Sequence, residues 1–71
     1  MAEYSKSLGE SIYRNRKRMR MTQAELAAAV GIQQPTVAQY EKDMKTPKPA
    51  TIGELARALG VSCDELIRGT A

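Results

Sequence analysis

TQAELAAAVGIQQPTVAQYE, from Thr22 to Glu41, has the pattern of two short helices joined by a tight turn. Thr22 is followed three residues later by Glu25, a spacing at which each side chain bonds the other's free backbone N–H at a helix start. A helix therefore begins near Gln23. Ala24, Leu26, Ala27, Ala28 and Ala29 are strong helix formers, and Gly31 stands after Val30, where a left-handed residue ends a helix. A helix of barely two turns is marginal in isolation, so its Ala-rich surface implies close approach of a neighbouring helix. The second helix restarts almost at once, with apolar Ile32 and then Gln33, Gln34, Pro35 and Thr36 leading into Val37 and Tyr40. Pro35 is acceptable only in a first helical turn. Val37, Tyr40 and Glu41 fall at i, i+3 and i+4 and share an inward face, which leaves Gln34, Ala38, Gln39 and Lys42 outward. A helix face shaped only for solubility more often carries Lys and Glu. Amide side chains donate and accept together, as the edges of nucleic-acid bases require, so this face is expected to read DNA.

The rest of the composition narrows the alternatives. A chain of 71 residues is one small domain that buries only about 60% of its unfolded surface. Hydrophobic residues make up 42%, the only aromatics are three Tyr, and the many Ala and Leu favour close-packed helices over a sheet. The fold class expected is all-α. With no His and a single Cys63, the commonest general base is missing, and neither an internal disulfide nor a Cys-based zinc site is available. No nucleophile–base pair or metal cluster is legible, so an enzyme is not expected, and no cofactor, metal or small-molecule ligand is implied. No apolar run reaches membrane-spanning length, and the polar first seven residues lack the apolar stretch of a signal peptide. A cytoplasmic protein with no membrane partner is the default.

The net charge of +3 is unevenly spread. Residues 1 to 20 carry +4, residues 21 to 41 carry −2, residues 42 to 48 carry +2 and the remainder −1. Positive charge thus flanks the proposed reading helix, an arrangement suited to an acidic polymer gripped at its backbone from both sides. A solvated basic first helix is the plainer reading of the first of these clusters.

In chain order, residues 1 to 7 are expected to form a flexible N-terminal tail and residues 8 to 71 the domain. Ser7 with Glu10 repeats the capping spacing and starts helix 1, where Leu8, Ile12 and Met19 mark an apolar face. The position that completes this stripe is Arg16, and a cation on a buried face needs a partner. Glu41, the acidic residue on the inward face of the reading helix, is that partner. Arg14, Lys17, Arg18 and Arg20 are expected to stay hydrated. The segment from Asp43 to Lys48, bracketed by Pro47 and Pro49, is a loop. Ile52, Leu55, Ala56 and Leu59 mark helix 4, ended by Gly60; either Thr51, paired with Glu54, caps its start, or Pro49 is its first residue. Ser62 with Glu65 caps a last helix bearing Leu66 and Ile67 and ended by Gly69. The Met residues are expected to fill the core.

With these residues in place, the chain resembles the DNA-binding domain of the lambdoid phage repressor and Cro family of helix-turn-helix regulators, of the XRE type. The likeness runs from Leu8 to Thr70 and is most specific in TQAELAAAVGI, QQPTVAQYEK and LARALGVSCDELIRGT. It implies a compact five-helix lambda-repressor-like domain whose helix-turn-helix is formed by helices 2 and 3, with helix 3 in the major groove and helix 2 across it. It further implies base reading by Gln33, Gln34, Ala38 and Gln39, and phosphate contact by Gln23, Thr36, Tyr40, Lys42, Lys45 and Lys48. Arg16 and Glu41 match a buried ion pair of the family, and Cys63 an apolar packing position. Pro35 and Ala38 stand where relatives vary their specificity residues, and Asp43 replaces a frequent Gly. The function implied is a sequence-specific transcriptional regulator, a repressor that binds a two-fold operator of double-stranded DNA as a homodimer. The runner-up is a protein-interaction module such as the antitoxin of a toxin–antitoxin pair.

Overall fold

The computed structural model describes residues 7–69 and contains five α-helices: α1 (Leu8–Arg18), α2 (Gln23–Val30), α3 (Gln34–Glu41), α4 (Pro49–Leu59) and α5 (Cys63–Arg68). Of the tail expected at residues 1 to 7, residues 1–6 lie outside the described residues, and Ser7 is the N-cap of α1. Among the described residues no helix is long and apolar enough to cross a membrane.

Two chemistries start the helices. Thr22 and Ser62 form full capping boxes with Glu25 and Glu65, and the Ser7 hydroxyl accepts from the Glu10 N–H at 3.0 Å. α3 and α4 have no side-chain cap and instead place Pro35 and Pro49 in the first turn, where the missing N–H is no loss. Pro49 is therefore the first residue of α4, and Thr51 lies inside the helix rather than capping it.

The ends are more uniform than the glycines suggest. Gly31, Gly60 and Gly69 adopt left-handed backbone, as does Arg20 after α1 (φ 58°) and Asp43 after α3 (φ 57°). Asp43 tolerates this conformation better than most residues because its short polar side chain bonds locally. Here its carboxylate accepts the Gly9 N–H at 3.1 Å, so the residue that ends α3 also caps the first turn of α1.

Ile12, Leu26, Val37, Leu55, Leu59 and Leu66 are fully buried and come from all five helices. Each contributes roughly 1.5 to 3 kcal/mol by leaving water, so a domain this small depends on a handful of side chains. Met21 packs against this core, but Met19 and Met44 are exposed. The expectation that the methionines fill the core fails for both, and Met19 is not on the apolar face of α1, because the helix ends at Arg18. Cys63 is likewise exposed, since it sits at the solvent side of the first turn of α5, and is not the packing residue expected. On α2 only Leu26 and Ala27 are buried; Ala24, Ala28 and Ala29 face out, so the neighbouring helices cover one narrow stripe.

A polar seam joins α1 to the C-terminal helices. The Ser11 hydroxyl donates to the Leu66 carbonyl at 2.6 Å, Arg14 Nη2 donates to the Gly69 carbonyl at 2.7 Å, and Arg18 Nη2 donates to Asn15 Oδ1 at 3.0 Å and the Leu59 carbonyl at 3.3 Å. The Leu66, Gly69 and Leu59 carbonyls are ones that a helix end leaves without a partner, and cations suit that end of the dipole. Arg14 is thus half-buried and structural, contrary to the expectation that it stays hydrated, whereas Arg18 makes its bonds while remaining exposed as expected.

Candidate nucleic-acid interface

α3 is oriented by what it buries. Val37 and Tyr40 enter the core, and Glu41 meets Arg16 of α1: Arg16 Nε donates to Glu41 Oε2 at 2.6 Å and Nη2 to Oε1 at 3.1 Å. The two side chains are only 9% and 5% exposed. Arg16 Nη1 also donates to the Met21 carbonyl at 2.8 Å, and the guanidinium lies 5.3 Å from the centre of the Tyr13 ring. The hydrogen bond to Glu41 holds the Arg16 guanidinium above its ordinary pKa although burial acts the other way.

From this pair a chain of hydrogen bonds runs outward. Gln23, the first residue of α2, donates from Nε2 to Glu41 Oε1 at 3.0 Å, and its Oε1 accepts from Gln34 Nε2 at 2.6 Å. A carboxylate only accepts, so it fixes which end of the Gln23 amide faces inward. The carbonyl end of Gln23 then faces Gln34 and fixes that amide in turn. Gln34, exposed at the start of α3, is left with its carbonyl oxygen and one N–H directed to solvent. Gln23 and Gln34 stand on different helices, eleven residues apart and outside the i, i+3 and i+4 pairs that meet within one helix, so nothing in the sequence pattern signals the pair; the turn at Gly31 creates it.

Gln33 and Gln39 are exposed along α3, while Ala38 and Thr36 are half-buried. Lys42, Lys45 and Lys48 are exposed at the end of α3 and along the following loop, where the buried Pro47 anchors the segment. Tyr40, on the inward face of α3 and expected to reach a phosphate with its hydroxyl, is 7% exposed. At the other end of α3 lies an open depression lined by Arg16, Lys17, Arg20, Thr22, Gln23 and Gln34. The fold thus gathers Gln23, Gln34, Arg16 and Glu41 into one cluster and leaves the three lysines as a separate basic flank.

The sequence profile of the helix-turn-helix family matches residues 12–66, which includes every side chain of this cluster. The chain belongs to the helix-turn-helix family. It is 38% identical to the antitoxin HigA1 of Mycobacterium tuberculosis over 58 residues, covering 82% of this chain and 39% of that protein. It is 37% identical to the uncharacterised helix-turn-helix-type transcriptional regulator y4dJ of Sinorhizobium fredii over 65 residues, 92% of this chain and 84% of the relative. The crystal structure of the P22 c2 repressor in complex with synthetic operator 9T superposes with a TM-score of 0.86 at 31% identity, covering 92% of this chain and 98% of that one. The all-α five-helix fold expected from the sequence is therefore the fold of a phage repressor domain. The helix-turn-helix chain spans little more than a third of the length of HigA1.

Proposed function

We propose that this chain is the DNA-reading part of a transcriptional repressor, binding a two-fold operator as a dimer with α3 in the major groove. One observation supports the reading above the others: Gln34 stands at the exposed start of α3 with its amide oriented by Gln23. The carbonyl and the one N–H left to Gln34 match the adenine edge, which offers a donor at N6 and an acceptor at N7. Guanine offers two acceptors there and would need two free donors. Gln33, Ala38 and Gln39 supply further contacts along the same helix, and Lys42, Lys45 and Lys48, with Gln23, Thr36 and Tyr40, hold the phosphate backbone without carrying base information.

Gln34→Ala is expected to cost about 1 to 3 kcal/mol on the preferred operator and much less on random DNA, with little change in salt slope. Lys45→Ala or Lys48→Ala should weaken both DNAs alike and flatten the salt dependence by about one unit for each phosphate no longer neutralised. Titration of both duplexes over a range of salt measures all three. Equal losses for Gln34→Ala on operator and random DNA would remove α3 from its reading role. The antitoxin reading, which rests on the likeness to HigA1, would then be the better account.

One domain presents few base-reading side chains, so two are needed for tight specific binding, on half-sites about one helical turn apart. Inserting about half a helical turn of DNA between the half-sites should abolish the gain from the second. Gel-shift titration that showed no effect of the insertion would count against a two-fold operator.

A further inference from the structure

Residues 14 to 20 contain five cations that look alike in the sequence, and the fold separates them. Arg14 and Arg18 are bonded to carbonyls at the ends of α5 and α4, and Arg16 is bonded to Glu41. Lys17 and Arg20 remain. Both are exposed, and neither side chain makes a hydrogen bond or ion pair with a described residue. Both line the same open depression as Gln23 and Gln34, so the two uncommitted charges border the start of the proposed reading helix.

Two details show how they are presented. Lys17 Nζ lies 5.9 Å from the centre of the exposed Tyr13 ring, a contact that favours this placement of the ammonium group without neutralising it. Arg20 occupies left-handed backbone, a conformation that three of the other helix ends give to glycine. The chain leaves α1 at this residue, and Arg20 lines the depression.

We infer that Lys17 and Arg20 form a second backbone-phosphate anchor, at the opposite end of α3 from Lys42, Lys45 and Lys48. The inference rests on the DNA-reading role proposed above and extends it: the operator is gripped at α1 as well as at the loop after α3. The occupant follows from charge and continuity. The depression holds two unpaired cations and no unpaired anion, and it runs without a break from the amide of Gln34, so the polymer that α3 reads passes over it. A duplex carries a phosphate at regular intervals along both strands, so negative charge lies within reach of both ends of an inserted helix. Tyr13 acts as a positioning residue for Lys17, not as a contact to a base.

Arg20→Gly separates binding from folding, because glycine adopts φ 58° without strain. Its unfolding midpoint should equal or exceed that of the parent. An operator obtained by binding-site selection with the 71-residue chain, and a random duplex, are titrated at salt from about 50 to 200 mM with the parent, Lys17→Ala, Arg20→Gly, Arg57→Ala and Gln34→Ala. Arg57 is an exposed cation of α4 that does not line the depression. Lys17→Ala and Arg20→Gly should each weaken both duplexes alike and flatten the salt slope by about one unit. The ratio of parent to variant affinity then shrinks about 3.5-fold across that fourfold change in salt. Arg57→Ala should leave the slope unchanged. Unchanged slopes for Lys17→Ala and Arg20→Gly, with Gln34→Ala still losing discrimination, overturn the anchor and leave the reading role of α3 intact. An equal flattening by Arg57→Ala also overturns it, since net charge alone would then account for the effect. A parent chain with no salt-dependent binding to either duplex overturns both readings.

Discussion

Glu41→Ala is expected to lower the free energy of unfolding by about 3 to 5 kcal/mol, and Arg16→Ala by a similar amount, each much of the stability of a small domain. Each change strands a charge that is almost wholly out of water: without Glu41 the guanidinium keeps only the Met21 carbonyl as a hydrogen-bond acceptor, beside the Tyr13 ring, and without Arg16 the carboxylate keeps only the Gln23 amide. Replacing both with apolar residues of similar volume should cost far less than either single change, because no charge is then left buried. Denaturant titration of the two singles and the double settles the point. Singles within about 0.5 kcal/mol of the parent would mean the pair behaves as a surface salt bridge. The Glu41 change should also blunt discrimination by Gln34 even where the domain still folds, since Glu41 is the fixed acceptor from which the order of both amides derives.

Gly9→Ala should be the other large loss. An added Cβ would overlap the carbonyl oxygen of Tyr40 and come within 2.8 Å of the Glu41 carbonyl and of Asp43 Oδ1. Two of these three atoms are backbone, so relief requires α1 and α3 to move apart, and with them the Arg16–Glu41 pair. Overpacking of this kind costs about 1 to 3 kcal/mol and occasionally more, which outweighs the gain of up to about 1 kcal/mol that alanine brings to a helix. Gly53→Ala is the control: its nearest neighbour would be Cys63 Sγ at 4.0 Å, so helix propensity should decide and the change should be neutral or stabilising. Thermal unfolding of the two variants side by side should therefore show shifts of opposite sign. A Gly9→Ala protein as stable as the parent would mean that α1 and α3 are not held in this close approach.

Much of the candidate site was legible because its signals are local. The capping pairs at Thr22 and Ser62, the glycines after α2, α4 and α5, and Pro35 in a first turn each act within four residues of where they stand. The i, i+3, i+4 pattern then places Val37 and Tyr40 inside and Gln34 and Gln39 outside without knowledge of any other helix. Even the Arg16–Glu41 pair was legible, since a cation that interrupts an apolar stripe demands an anion on a facing stripe.

What the sequence determined by itself, then, is the number of helices, their faces and the partner of one buried charge, because hydrogen-bond capping and hydrophobic period are properties of short segments. Only the tertiary structure decided which of the clustered cations of α1 are structural and which are free, since Arg14 and Arg18 find their carbonyls 55 and 41 residues away. It alone decided that Gln23 orients Gln34, that Asp43 caps α1, and that Gly9 is a contact point rather than a weak spot in a helix. Each of these depends on how α1, α2 and α3 cross, and that crossing is set by the packing of all five helices around Ile12, Leu26, Val37, Leu55, Leu59 and Leu66, not by any one segment.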